Sequence, residues 1–239
     1  MEVSIILIVI CLSIVQSIFG VGILLFGTPL LLLLGYQFLE SLLILLPISA
    51  SINFLQIAKD YKEIDLSIYK NILLLTVPFI VVFIFLVFKN SININLMIGL
   101  FLVFMAIKDK VLLFKIWFDK LLSFNKVFYV VMGIIHGITN LGGALLTAKV
   151  FHTDLNKYQK RATIAISYMT FALFQITTIL FLDVKYKLEN LLYIFVGLLV
   201  YFFINKFLFH KISDYKYDKL FSVFLTVTGT LLILKGLKW

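Results

Sequence analysis

The sequence predicts an all-α polytopic membrane protein of two inverted repeats, each a broken or re-entrant helix plus three transmembrane helices. Three observations predict it. The composition is too apolar for a soluble domain, apolar stretches long enough to span a bilayer alternate with short charged connections, and one glycine-rich segment occurs twice.

Of the 239 residues, 62% are hydrophobic and 14% are charged. An ordinary soluble domain carries about 25% charged residues. A bilayer accepts such a surface, and a spanning helix needs roughly 20 mostly apolar residues. The net charge of +9 sits on lysines between apolar segments, which points to lipid headgroups and topology rather than to nucleic acid. Cys11 lies inside an apolar stretch and is the single cysteine, so it is read as a packing residue. The first segment opens Met1-Glu2-Val3, without a basic start, and is expected to be a retained membrane segment rather than a signal peptide.

About eight apolar stretches run at 3–35, 38–58, 69–88, 92–107, 127–150, 162–182, 190–209 and 220–237. Residues 108–126 differ, because Lys115, Asp119 and Lys120 interrupt an apolar run that contains Trp117. That pattern predicts an amphipathic helix in the membrane interface on the cytoplasmic side. It divides the chain into an N-terminal membrane repeat (1–107), the linker (108–126) and a C-terminal membrane repeat (127–239).

The first and fifth stretches resemble each other. Gly20 aligns with Gly137 and Gly27 with Ala144, while Gln56 aligns with Gln175 in the stretches that follow. Eight of the 12 glycines fall in these two stretches: Gly20, Gly22, Gly27, Gly35, Gly133, Gly137, Gly142 and Gly143. Glycine inside a helix costs about 1 kcal/mol relative to alanine, so the clusters predict a helix break in each half. Residues 3–35 as one helix would also reach about 50 Å, against a hydrocarbon core of about 30 Å.

Basic residues choose between a single crossing and a hairpin at each break. With two hairpins, the connections 59–70, 108–126, 149–161 and 206–219 share one side and carry 16 of the 21 basic residues. With single crossings the bias nearly vanishes. The positive-inside rule therefore predicts hairpins, inverted halves and both termini outside the cytoplasm.

Backbone groups freed at a break must be buried or line a cavity. The start of a half-helix offers N–H groups to an anion. The candidate substrate-binding residues are Gly20, Gly22, Thr28, Asn140, Gly142 and Gly143 at the breaks, with Asn53, Gln56 and Gln175 on the adjoining helices. Ser49, Asn53 and Gln56 share one helix face; interhelical hydrogen bonding is the alternative use of such a stripe. His136, deep in an apolar stretch, is a candidate for proton transfer or anion contact, or else a packing residue. Lys149 and Arg161 either attract anions or anchor the topology. No P-loop, HExxH or GxSxG pattern and no Cys/His cluster occurs, so neither enzyme activity, nor a cofactor, nor a metal is expected.

The run Phe19-Gly20-Val21-Gly22 to Gly27-Thr28-Pro29, and its second copy from Gly137 through Gly142-Gly143-Ala144, resemble the paired motifs of the sulfite exporter TauE/SafE family of bacterial permeases. The resemblance covers nearly the whole chain. The second copy has Leu146 or Thr147 where the family has proline. The resemblance implies a transporter of sulfite, a sulfonate or another small organic or sulfur oxyanion, multi-pass in the bacterial cytoplasmic (inner) membrane. Its expected partners are that anion and the lipid bilayer, not nucleic acid; homo-oligomer formation stays open. The leading expectation is a secondary transporter, an exporter working by alternating access. A passive anion channel and a membrane scaffold that has lost transport are the alternatives.

Overall fold

The computed structural model describes residues 2–89, 94–107, 111–182, 184, 186–217 and 219, and no strand occurs among them. The apolar stretch predicted at 220–237 lies outside the described residues.

The first stretch is broken, as its length requires. Helix α1 (Val3–Phe19) stops at Gly20, whose φ of 75° is left-handed, and the Gly20 N–H donates to Gln16 O at 2.8 Å. Helix α2 (Ile23–Leu33) then folds back. Tyr36, just beyond α2, donates its hydroxyl to the Glu2 carboxylate just before α1. The pair is thus a hairpin whose two ends lie together.

Helix α3 (Phe38–Asp60) follows, its start fastened by the Gln37 N–H donating to Glu40. A 3-10 turn (Tyr61–Glu63) leads to α4 (Leu66–Asn71), a π-turn (Ile72–Thr76) and α5 (Val77–Lys89). Next come α6 (Ile94–Ile107), α7 (Leu112–Ser123) and α8 (Asn125–Thr139). Helices α7 and α8 are bent by 110°. The bend leaves Leu112, Leu113, Ile116 and Trp117 exposed, while Phe118 and Leu122 face inward. Helix α7 is thus apolar on both its exposed and its inward side.

Helix α9 (Gly143–Phe151) folds back on α8: Lys149 donates to Leu122 O at 3.1 Å and to Asn125 Oδ1 at 2.7 Å. This second hairpin also starts and ends together. Helix α10 (Lys157–Leu180) opens with a capping box, in which Asn156 Oδ1 accepts from the Tyr158 and Gln159 N–H groups and Gln159 Oε1 accepts from the Asn156 N–H. Helix α11 (Asn190–Phe207) and a 3-10 turn (Phe209–Lys211) follow, with residues 214–217 helical beyond them.

Among the described residues, four helices are long and apolar enough to cross a membrane, or five if α7 and α8 count as one bent span. Large apolar side chains such as Phe54, Leu74, Phe174, Phe195 and Phe203 are exposed on them. Water would not tolerate so much exposed apolar surface, whereas lipid does.

Helices α3 and α10 pack together at the centre. They run antiparallel, because Asp60 at the end of α3 pairs with Arg161 at the start of α10. Helix α2 packs on α3, α9 on α10, and α2 touches α9. Helix α1 packs on α11 and α8 packs on α5, so each broken helix lies against a helix from the other half of the chain.

Two glycines serve the α8–α5 contact. A Cβ at Gly133 would lie 2.5 Å from Thr76 O, and one at Gly137 would lie 2.8 Å from the Phe83 Cβ. The Thr76 hydroxyl, at the end of the π-turn, donates to Tyr129 O at 2.9 Å. Gly133 and Gly137 therefore permit close helix packing and do not form the break, a correction to the sequence alignment.

The predicted basic connections meet at one end of the molecule. Lys59 Nζ is 2.9 Å from His210 Nε2, Arg161 pairs with Asp60, and Lys149 reaches Asn125. The opposite end carries Glu2, Tyr36 and Tyr193 together, with Lys187 at 3.8 Å from Glu40.

Candidate functional site

The breaks are built alike. Asn140 ends α8 as Gly20 ends α1: its φ is 62°, also left-handed, and its N–H donates to His136 O at 2.8 Å. Asparagine tolerates this conformation better than other non-glycine residues. The structural counterparts are Gln16 with His136, Gly20 with Asn140, and Gly22 with Gly142. The pairing of Gly20 with Gly137 read from the sequence is thus displaced by three residues. The displacement arises because asparagine can replace the glycine that the chain reversal favours.

At the first break the polar side chains are bonded within the protein, with Gln56 Oε1 left over. Gln16 Nε2 donates to Ser49 O and Ser49 Oγ, both at 3.0 Å, and to Asn53 Oδ1 at 3.2 Å. Gln16 Oε1 accepts from the Ile23 N–H at 3.0 Å, so it caps the start of α2. Gln56 Nε2 donates to Gln16 O at 2.9 Å and Ser17 O at 3.1 Å. The bond to Ser17 O satisfies a carbonyl at the end of α1.

The second break is different. His136 is fully buried and neither ring nitrogen has a hydrogen-bond partner. Gln175 lies beside it, outside hydrogen-bond geometry, and neither its amide nitrogen nor its oxygen is bonded. The Tyr168 hydroxyl is also buried and unbonded. Its ring centroid is 6.2 Å from that of His136, and Phe171 closes the group at 4.6 Å from the imidazole. Asn140 Nδ2 donates to Thr28 Oγ1 at 2.8 Å, tying the second tip to α2, while Asn140 Oδ1 is unbonded. An unsatisfied buried polar group costs about 1–3 kcal/mol, so several in one place make this break the candidate site.

Two glycines shape this pocket of polar atoms. A Cβ at Gly143 would collide with the Tyr168 hydroxyl, and one at Gly142 would lie 2.5 Å from the His136 Cβ. The absent side chains let α9 begin directly against the imidazole and the phenol.

Of the residues the sequence singled out, Thr28, His136, Asn140, Gly142, Gly143 and Gln175 come together here. Gly20, Gly22, Asn53 and Gln56 gather at the first break instead, where Asn53 and Gln56 are held by bonds within the protein. Gln16 and Tyr168 escaped the sequence reading. Residues four before each break, at the spacing of Gln16 to Gly20 and His136 to Asn140, were the signal that could have found Gln16.

Arg161, the single arginine, is fully buried. It pairs with Asp60, donates to Asn205 Oδ1 at 3.0 Å and Ser17 O at 3.3 Å, and stacks 3.4 Å over the Phe209 ring. Its charge is committed to Asp60, so it fastens α1, α3, α10 and α11 at the basic end.

No curated protein and no solved structure matches the chain. The sequence model of one family, described as Sulfite exporter TauE/SafE, matches residues 5–232. A polytopic apolar fold, two interrupted helices and that match across nearly the whole chain lead to one conclusion: the protein belongs to the TauE/SafE sulfite exporter family, a family of membrane transporters.

Proposed function

We propose that the chain is a secondary transporter that moves a small monovalent oxyanion, sulfite-like or a sulfonate, across the bacterial inner membrane by alternating access. It acts as a carrier and not as an enzyme. The second break is the centre of the binding site. His136, Tyr168, Asn140 and Gln175 supply side-chain groups, and Gly142 and Gly143 supply the start of α9. Gly20, Gly22, Asn53 and Gln56 shape the first tip, and Thr28 joins the two.

The observation that carries this reading is the group of buried, unbonded polar atoms at one helix break. An oxyanion accepts several hydrogen bonds at once, and a helix start suits negative charge. The site residues have no exposed surface, which favours a carrier with an occluded site over an open channel. Antiparallel α3 and α10, and the reciprocal packing of α1 on α11 and α8 on α5, support two inverted repeats divided by the 108–126 linker. In that arrangement both hairpins are re-entrant. The basic end faces the cytoplasm and Glu2 lies outside it.

The test is counterflow of radiolabelled sulfite in liposomes containing the purified protein. Saturable uptake that exchanges against unlabelled anion, and falls at least tenfold in Q175L and N140L, is expected. Unchanged flux in both variants, with the proteins folded and inserted, overturns the site.

A further inference from the structure

An oxyanion at the second break brings negative charge into a buried site, and such a charge needs a partner. The buried cations among the described residues are Lys157, Lys160 and Arg161. All three sit at the start of α10, at the basic end. Arg161 is paired with Asp60, Lys157 donates to Ile212 O, and Lys160 lies 5.1 Å over the Phe151 ring. None of them neutralises a charge lodged between Gly143 and Gln175.

His136 is placed to do so. Neutral imidazole has one donor and one acceptor nitrogen, and the protonated ring has two donors. Both nitrogens of His136 are unbonded, so the ring can take a proton without breaking a bond. The groups facing it are neutral: Tyr168, Phe171 and Gln175 from α10, and Gly142 at the start of α9. Helix α5, packed on the other face of α8, presents Phe79, Ile80 and Phe83 to Gly133 and Gly137. Among the described residues no carboxylate, lysine or arginine acts on the ring. At the first break the counterpart is Gln16, which cannot titrate and is bonded throughout. The two halves therefore differ by one proton-binding group at the place where the anion would sit.

We infer that His136 takes up one proton as a monoanion binds, so that anion and proton cross together and no net charge moves. This rests on the carrier reading above. On loading, a proton from water adds to the free imidazole nitrogen, and the imidazolium then donates an N–H to the oxyanion. On release, the anion departs and the imidazolium returns its proton to water on the same side. The empty site reorients neutral. Outward flow runs whenever the internal anion concentration exceeds what an inward pH gradient balances.

Methanesulfonate is the informative probe, because it stays ionised near neutral pH and any accompanying proton must ride on the protein. Proteoliposomes with a pH dye inside, given a methanesulfonate gradient and in parallel a sulfite gradient, report anion and proton together. The expected result is one proton per methanesulfonate, with a flux unaffected by a valinomycin-set membrane potential. In H136Q the coupled proton movement should fall at least tenfold, with H136N in its place if H136Q does not fold. The wild-type measurement needs neither variant. Methanesulfonate flux that responds to the potential and carries no proton overturns the coupling and leaves the carrier reading standing. Full proton coupling in H136Q overturns the assignment to His136. No flux of either anion through folded wild-type protein overturns the carrier reading and the coupling with it.

Discussion

The two helix breaks share a backbone and differ in what surrounds it. At the first, Gln16 bonds to Ser49, Asn53 and the Ile23 amide, and Gln56 fastens the end of α1. At the second, His136, Tyr168 and Gln175 occupy the matching region and none of their side-chain polar atoms is bonded. The same chain reversal is largely hydrogen-bonded in one half and surrounded by unbonded polar atoms in the other. On the proposed reading, the first break holds the fold and the second binds the anion.

The largest expected effect tests how the first break is fastened. R161M removes the partner of Asp60 and the donor to Ser17 O. Breaking a buried pair costs about 3–5 kcal/mol, read as a lower thermal unfolding midpoint in detergent. Next, Q16L should cost about 2–4 kcal/mol, since several buried bonds average about 1 kcal/mol each and leave unpaired groups behind. Its counterpart H136F should stay within about 1 kcal/mol of wild type, because no hydrogen bond is lost. Equal losses in Q16L and H136F would break the comparison.

G143A sharpens it further. The added Cβ runs into the Tyr168 hydroxyl, and overpacking of this kind costs about 1–3 kcal/mol. Anion-dependent stabilisation in a thermal melt should disappear with it. The smallest effect separates backbone from side chain at Asn140. N140A places a methyl group at a left-handed φ and should be about 1 kcal/mol less stable than N140G. Both variants lose the bond to Thr28, and both should bind anion more weakly in the same melt.

The broad architecture was legible because it rests on composition. Stretches long enough to span a bilayer are a feature of amounts and spacings, and lipid enforces them. The break in residues 3–35 was legible from length alone. The second break was legible at Asn140, Gly142 and Gly143, but its register against the first was not, because Gly137 aligns with Gly20 and instead admits α5. Asn140, which performs the reversal, carries no glycine signal. The polar stripe of Ser49, Asn53 and Gln56 was visible as one face, but its target, Gln16, lies on another helix. Periodicity reports which residues share a face and is silent on what the face meets. For the same reason Tyr168 passed unnoticed until Gly143 placed it against a helix start.

The most direct test of the central claim is to locate a bound anion. Crystals grown with hydrogen selenite, a heavier analogue of sulfite, would reveal its position by anomalous scattering from selenium. The account predicts a peak within hydrogen-bond reach of His136 and Gln175, at the start of α9. A peak beside Gln16 and Ser49, or at Arg161 on the basic end, would contradict it.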